Sequence, residues 1–188
     1  MKILLIDFYD SFTYNLKHYL ELNEREVFVI RHDEIEDITN LRSYSHIILS
    51  PGPGMPMEKK NMSEIISFCD GQIPLLGICL GMQAIGLHLG GILENMSKVM
   101  HGVDRTLYVD ESDAILFRGL PSEFKIGLYH SWAVSGLNTD HIDARLSNGC
   151  VMAISEPSRK LFGLQFHPES ILSEFGKEIL SNFLENTH

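Results

Sequence analysis

Basic residues are scarce in this chain: 15 Lys and Arg stand against 25 Asp and Glu, leaving a net charge of -10. They form no cluster of the kind that neutralising a phosphate backbone needs, so a nucleic-acid partner is excluded. Cysteine is scarcer still. Cys69, Cys79 and Cys150 have neither paired nor metal-ligand spacing, which argues against a disulfide framework and a zinc site and for a reducing compartment. Nothing signals a cofactor. Long apolar runs are also missing, because Met1-Lys2-Ile3-Leu4-Leu5-Ile6 is ended by Asp7 too early for a signal peptide or a membrane span. A cytoplasmic protein with no membrane partner is expected. No period of about 20 to 50 residues repeats, and no low-complexity segment or clear linker interrupts the chain. What is there is 188 residues, 44% hydrophobic and 21% charged, enough for one globular domain over residues 1–188.

The chain is organised around Pro74-Leu75-Leu76-Gly77-Ile78-Cys79-Leu80-Gly81-Met82-Gln83. The apolar run reads as a buried strand, and it stops at a cysteine with glycines two residues away on either side. This is the pattern of a nucleophile elbow with sulfur in place of oxygen, since a sharp strand-to-helix turn needs residues without side chains beside it. A helix follows through Leu89 and ends at Gly90-Gly91. A thiol at such a helix N-terminus faces unsatisfied N–H groups that favour the thiolate and can hold a developing oxyanion. Cysteine is also a common small buried hydrophobe, so a chemical role needs a matching base elsewhere.

In chain order, Ile3–Ile6, Val27–Ile30, His46–Leu49 and the Cys79 strand are continuous apolar runs, as expected of parallel strands covered on both faces. A helix is expected over Ser11–Leu22, capped by Asp10 or Ser11, and a short one over Met62–Cys69. The first 90 residues then alternate as β-α-β-(α)-β-α-β-α. This implies an α/β fold in three layers, with a mostly parallel, doubly wound sheet. Beyond Gly91 the expectation is short strands at Thr106–Val109, Phe124–Tyr129, Gly149–Ser155 and Leu161–Gln165, antiparallel additions at one side of the sheet together with its last strands, closed by a helix from about Glu174 to Leu184. Ser50-Pro51-Gly52-Pro53-Gly54 follows the His46–Leu49 strand, and its free amides can point at an anion. Like Cys79, it lies beyond the carboxyl end of a strand, where open α/β sheets bind ligands.

A second reactive cluster ends the last strand, Gln165-Phe166-His167-Pro168-Glu169-Ser170. In an extended backbone residues two apart project to the same side, so Glu169 can orient His167 and stabilise its imidazolium. Pro168 pushes His167 out of the α region. An elbow cysteine with a distant histidine and acid is the arrangement expected of a cysteine nucleophile. His18, His32, His88 and His141 lack a glycine or acid context and read as satisfied or solvated; His130, in Tyr129-His130-Ser131-Trp132, is the exception. A cysteine peptidase or γ-glutamyl hydrolase, or a non-catalytic binding module, remains an alternative at this point.

The three clusters together resemble the class I glutamine amidotransferases over nearly the whole chain. The opening Asp7-Phe8-Tyr9-Asp10-Ser11-Phe12-Thr13-Tyr14-Asn15-Leu16 is similar to the separate glutaminase subunits of anthranilate synthase and aminodeoxychorismate (para-aminobenzoate) synthase. The resemblance implies Cys79 as nucleophile, His167 as base and Glu169 as its orienter. It also implies L-glutamine binding by Gly52, Pro53, Gly54, Gln83, Ser131 and Trp132, with the amides of Gly52 and Leu80 as the oxyanion hole. It further implies a chorismate-aminating synthase subunit as the partner that receives ammonia, and no metal or cofactor. Met82, Glu58-Lys59-Lys60-Asn61 and Val103 depart from the commonest pattern of these subunits. The similarity around Ser170-Ile171-Leu172-Ser173-Glu174 leans toward the para-aminobenzoate branch.

Overall fold

A computed structural model describes residues 1–22, 25–110 and 113–187, the side chains of residues 97 and 98 excepted. Its centre is a nine-stranded sheet in the order β2-β1-β3-β4-β9-β8-β7-β5-β6. The parallel strands are β1 (Lys2–Asp7), β2 (Glu26–Arg31), β3 (His46–Leu49), β4 (Leu75–Ile78) and β9 (Leu161–Leu164). The antiparallel part is made by β5 (Ile92–Val109), β6 (Glu123–Ser135), β7 (Ile142–Leu146) and β8 (Val151–Glu156), the last pairing with β9.

Alternation within the parallel strands builds the three layers. Ile3, Leu5, Ile48, Leu76, Phe162 and Leu164 face one side, where they pack with Leu16 and Leu20 of α1 (Thr13–Leu20) and with Ile179, Leu180 and Phe183 of α4 (Gly176–Asn186). Leu4, Ile6, Ile47, Leu49 and Leu75 face the other, against Ile65 and Ile66 of α2 (Met62–Cys69) and Leu80, Met82 and Ile85 of α3 (Leu80–His88). With both faces covered, every side chain of β3 and β4 is buried, which is why these strands read as continuous apolar runs. Among the described residues no helix is long and apolar enough to cross a membrane.

Several expectations need correction. The bracketed helix between β2 and β3 is two 3₁₀ turns, His32–Glu34 and Ile38–Ser43. Helix α1 begins at Thr13 after Phe12, not at Asp10 or Ser11, although the Asp10 carboxylate still accepts the Phe12 N–H at 2.8 Å. The expected strand Thr106–Val109 is only the end of β5, an 18-residue strand. Its partner β6 runs on past Tyr129 to Ser135. Register shifts between Asn95 and Met100 and between His101 and Val103 break the alternation that would have revealed this hairpin. Strand β7 is absent from the expectation, although Ile142, Ala144 and Leu146 alternate with Asp143 and Arg145 as in a strand.

The junction of β4 and α3 leaves no room for side chains. A Cβ on Gly77 would lie 2.3 Å from the carbonyl carbon of Gly81, and one on Gly81 would lie 2.7 Å from Leu49 Cβ. Between them Cys79 takes φ 50° and ψ -98°, a conformation that costs a non-glycine residue on the order of 1–3 kcal/mol. Gly77→Ala must therefore push the helix off the strand. It should destabilise the fold by about 1–3 kcal/mol, read as a lower urea midpoint with an unchanged slope.

Candidate active site

Sheet order explains how groups from distant parts of the chain meet. Strands β4 and β9 are parallel neighbours with Gly77 opposite Gly163 and Ile78 opposite Leu164, so both chains leave the sheet at the same edge. The Cys79 N–H donates to the Leu164 carbonyl at 2.7 Å. The residues that follow Leu164 are thereby delivered to the elbow. Met82, one of the departures from the commonest pattern, is fully buried and packs on this seam, where a Cβ on Gly163 would lie 2.7 Å from its Cγ.

His167 and Glu169 are brought together as expected, but not by an extended backbone. The Ser170 N–H donates to the His167 carbonyl at 3.1 Å, closing a β-turn with Pro168 at its second position. Across this turn His167 Nδ1 and Glu169 Oε1 are 2.7 Å apart, and both side chains are almost wholly buried. The edges of Tyr129 and Phe12 close on the imidazole, with ring centroids at 4.9 and 5.6 Å. His167 Nε2 is buried without a conventional hydrogen-bond partner, and the Cys79 thiol is the group that acts on this ring besides Glu169. Burial opposes the charged imidazolium, yet the Cys79 and Glu169 interactions outweigh it and raise the His167 pKa to about 10.

The second loop reaches the elbow through one residue. A Cβ on Gly52 would lie 2.7 Å from the Phe8 carbonyl oxygen and 2.9 Å from Leu80 Cδ2. Gly52 and Leu80 are therefore in direct contact, and as the first residue of α3 Leu80 has an N–H without an intrahelical acceptor. Pro53 and Gly54 sit on the exposed limb of the turn. Glu58 braces that limb by accepting the Met55 N–H at 3.0 Å. Asn61, in the same divergent stretch, ties α2 to the β2–β3 connection through bonds to the His32 and Ile35 carbonyls.

Strand β6 supplies the remaining wall. Gln83 Nε2 donates to the Trp132 carbonyl at 3.0 Å, which joins the expected substrate residues Gln83 and Trp132; Ser131 lies half-buried between Trp132 and His130. His130 Nδ1 is 2.9 Å from the same carbonyl. Burial lowers the His130 pKa, the Trp132 carbonyl opposing and the nearby His167 adding to the shift. Two histidines at one site are thus pushed in opposite directions by their surroundings.

Two contacts went unread in the sequence. Gln165 Nε2 donates to Cys79 Sγ at 3.6 Å, and the Tyr129 hydroxyl meets Ser170 Oγ at 3.0 Å. The position of Gln165, next after β9 and two residues before His167, was the available signal for the first. Two of the four histidines read as lacking an acid find one from elsewhere in the chain: His88 pairs with Asp70 at 2.9 Å and His141 with Glu156 at 3.2 Å.

The sequence profile of the family described as glutamine amidotransferase class-I matches residues 4–187. Anthranilate synthase component 2 of Pyropia yezoensis is 40% identical, covering 97% of this chain and 98% of its own length. The Pseudomonas aeruginosa protein of the same name is also 40% identical, over 97% and 94%. A solved Thermotoga maritima glutamine amidotransferase superposes with a TM-score of 0.78 at 17% identity, covering 100% of this chain and 97% of its own, and so shares the fold. Neither relative's name supports the lean toward para-aminobenzoate. The stretch behind that lean serves local structure: Ser173 Oγ donates to the His167 carbonyl at 2.6 Å, and Glu174 accepts the Lys125 N–H at 2.7 Å. An elbow cysteine beside a histidine–glutamate pair, on this fold and over this length of sequence, places the chain in the class I glutamine amidotransferase family, and it is an enzyme subunit of that family.

Proposed function

We propose that this chain is the glutaminase component of an anthranilate synthase, hydrolysing L-glutamine and passing ammonia to a chorismate-aminating synthase subunit. The observation that carries the chemistry is the convergence of Cys79, His167 and Glu169 at the ends of two adjacent strands, with the thiol and the carboxylate both raising the imidazole's proton affinity. The names of the relatives support the anthranilate branch.

In this reading the Cys79 thiolate attacks the side-chain carbonyl carbon of glutamine. The tetrahedral oxyanion is held by the backbone N–H groups of Gly52 and Leu80, two residues kept adjacent by the Leu80 side chain against Gly52. His167 then gives its proton to the departing nitrogen, the C–N bond breaks, and ammonia leaves a glutamyl thioester on sulfur. Water attacks the thioester while His167 takes its proton; the C–S bond breaks, returning the thiolate and releasing glutamate. Glu169 keeps the ring oriented through Nδ1 and stabilises the imidazolium. Gln83, Ser131 and Trp132 hold the amino-acid end of the substrate, with Gly52, Pro53 and Gly54 forming the opposite lip. Ammonia released into water would be protonated and no longer nucleophilic, so the partner subunit must receive it along a closed path.

Cys79→Ser should fold normally and lose glutamine-dependent product formation by at least about 10³-fold, while synthesis from added ammonia by the partner survives. Glutaminase activity retained in this variant would refute the nucleophile. Copurification of the partner, followed by identification of its aromatic product, tests the branch: anthranilate is expected, and another aminated ring would overturn it.

The site also predicts a pH dependence. His167 should hold its proton well above the free-histidine value of about 6.5, and in histidine NMR both Glu169→Gln and Cys79→Ser should lower its titration midpoint. Because the folded value lies above the unfolded one, this group's stabilising contribution is complete below about pH 6.5. It is lost as pH rises through the folded value of about 10. Glu169→Gln should flatten that alkaline loss in a series of melting curves.

A further inference from the structure

The nucleophile has a second polar neighbour that the acyl-transfer scheme does not use. Gln165 is fully buried, and its side-chain amide bridges Cys79 Sγ at 3.6 Å and Gln83 Nε2 at 3.2 Å. The direction of each bond follows from a group whose role cannot be reversed. A backbone carbonyl only accepts, so the Gln83 atom 3.0 Å from the Trp132 oxygen is the amide nitrogen. The same nitrogen lies against Gln165, so the Gln165 atom facing it is the oxygen. Its NH₂ is then left for the sulfur. His130 Nδ1, on the same carbonyl, must carry a proton too, which agrees with a buried, neutral imidazole donating there.

We propose that Gln165 holds the Cys79 thiolate through its side-chain amide, and that the Trp132 carbonyl, acting through Gln83, fixes that amide with its donor toward the sulfur. The inference rests on the glutaminase reading for its purpose but not for its geometry. An N–H donor stabilises a charged sulfur more than a neutral thiol or a thioester, and it does so most where water is excluded. Gln165 therefore favours the attacking form of Cys79 and eases its departure when the thioester is hydrolysed. Opposite it, the imidazole of His167 is free to move the proton. The relay starts in the β6 segment assigned to glutamine, so the placement of substrate and nucleophile share one strand.

The test is alkylation of Cys79 by iodoacetamide in the full chain, followed by mass analysis of the Cys79 peptide across neutral pH and without glutamine. Burial pushes the Cys69 thiol up to about 12 and raises that of Cys150, so neither competes. Gln165→Leu should slow alkylation at neutral pH roughly tenfold, move the rate profile to alkaline pH and lower glutaminase kcat more than it changes KM. Gln83→Leu, which keeps Gln165 but releases its orientation, should give a smaller shift in the same direction. A folded Gln165→Leu whose profile superimposes on the native one overturns the proposal; if that variant does not fold, Gln165→Met carries the same test. An unchanged profile in Gln83→Leu overturns the relay. Glutaminase activity surviving in Cys79→Ser would instead sink the functional reading while leaving the alkylation result readable.

Discussion

The hydrogen bond from the Cys79 N–H to the Leu164 carbonyl joins the ends of β4 and β9, and the rest of the site hangs from that seam. It continues the parallel ladder one step beyond the last paired residues, just where the chain of β4 must turn into α3. Because the turn is held on one side by its neighbour and on the other by Leu49 against Gly81, Cys79 stays in its positive-φ conformation. The same bond sets the position of Gln165 and, two residues on, His167. Nucleophile, imidazole and the amide between them thus share one anchor.

Electrostatics then divides the labour around that anchor. His167 and His130 are both buried, yet at His167 the Glu169 and Cys79 interactions outweigh burial and raise the pKa, while at His130 burial outweighs the Trp132 carbonyl and lowers it. Burial disfavours charge on both rings, so the deciding difference is the partner each side chain has. The far end of α3 is secured separately. There the Arg159 guanidinium, with His88 adding to it, holds the Asp70 carboxyl down to about 2 against partial burial. That ion-paired group connects the ends of α2 and α3 to the turn preceding β9. Helix α3 is therefore tied at its nucleophile end by tight packing and at its other end by charge.

The elbow was legible in Gly77-Ile78-Cys79-Leu80-Gly81 because steric exclusion at a sharp turn leaves a direct trace in residue type. The loop at Gly52 was legible for the same reason, although only the contact with Phe8 and Leu80 shows which of its glycines is under constraint. His167 and Glu169 were paired correctly for a mistaken reason, since a proline-containing turn rather than an extended strand brings them together. The long β5–β6 hairpin was read as two short strands because bulges shift its register, and a period of two cannot be followed through a bulge. The branch preference read from Ser170–Glu174 finds no support in the names of the relatives, and the side chains there serve local structure, Ser173 bracing the His167 backbone and Glu174 that of Lys125.

What the sequence determined by itself was a set of local decisions: apolar runs for covered strands, glycines where backbones approach, and a thiol, an imidazole and a carboxylate placed just past strand ends. Those follow from sterics and periodicity within a few residues. The tertiary structure alone decided that β9 lies beside β4, that β6 lends a carbonyl to Gln83, and that Gln165 turns its amide toward sulfur. Contacts between residues more than 80 positions apart, such as Gln165 and Cys79, depend on how layers pack around a shared core, and no local pattern in either segment encodes its neighbour.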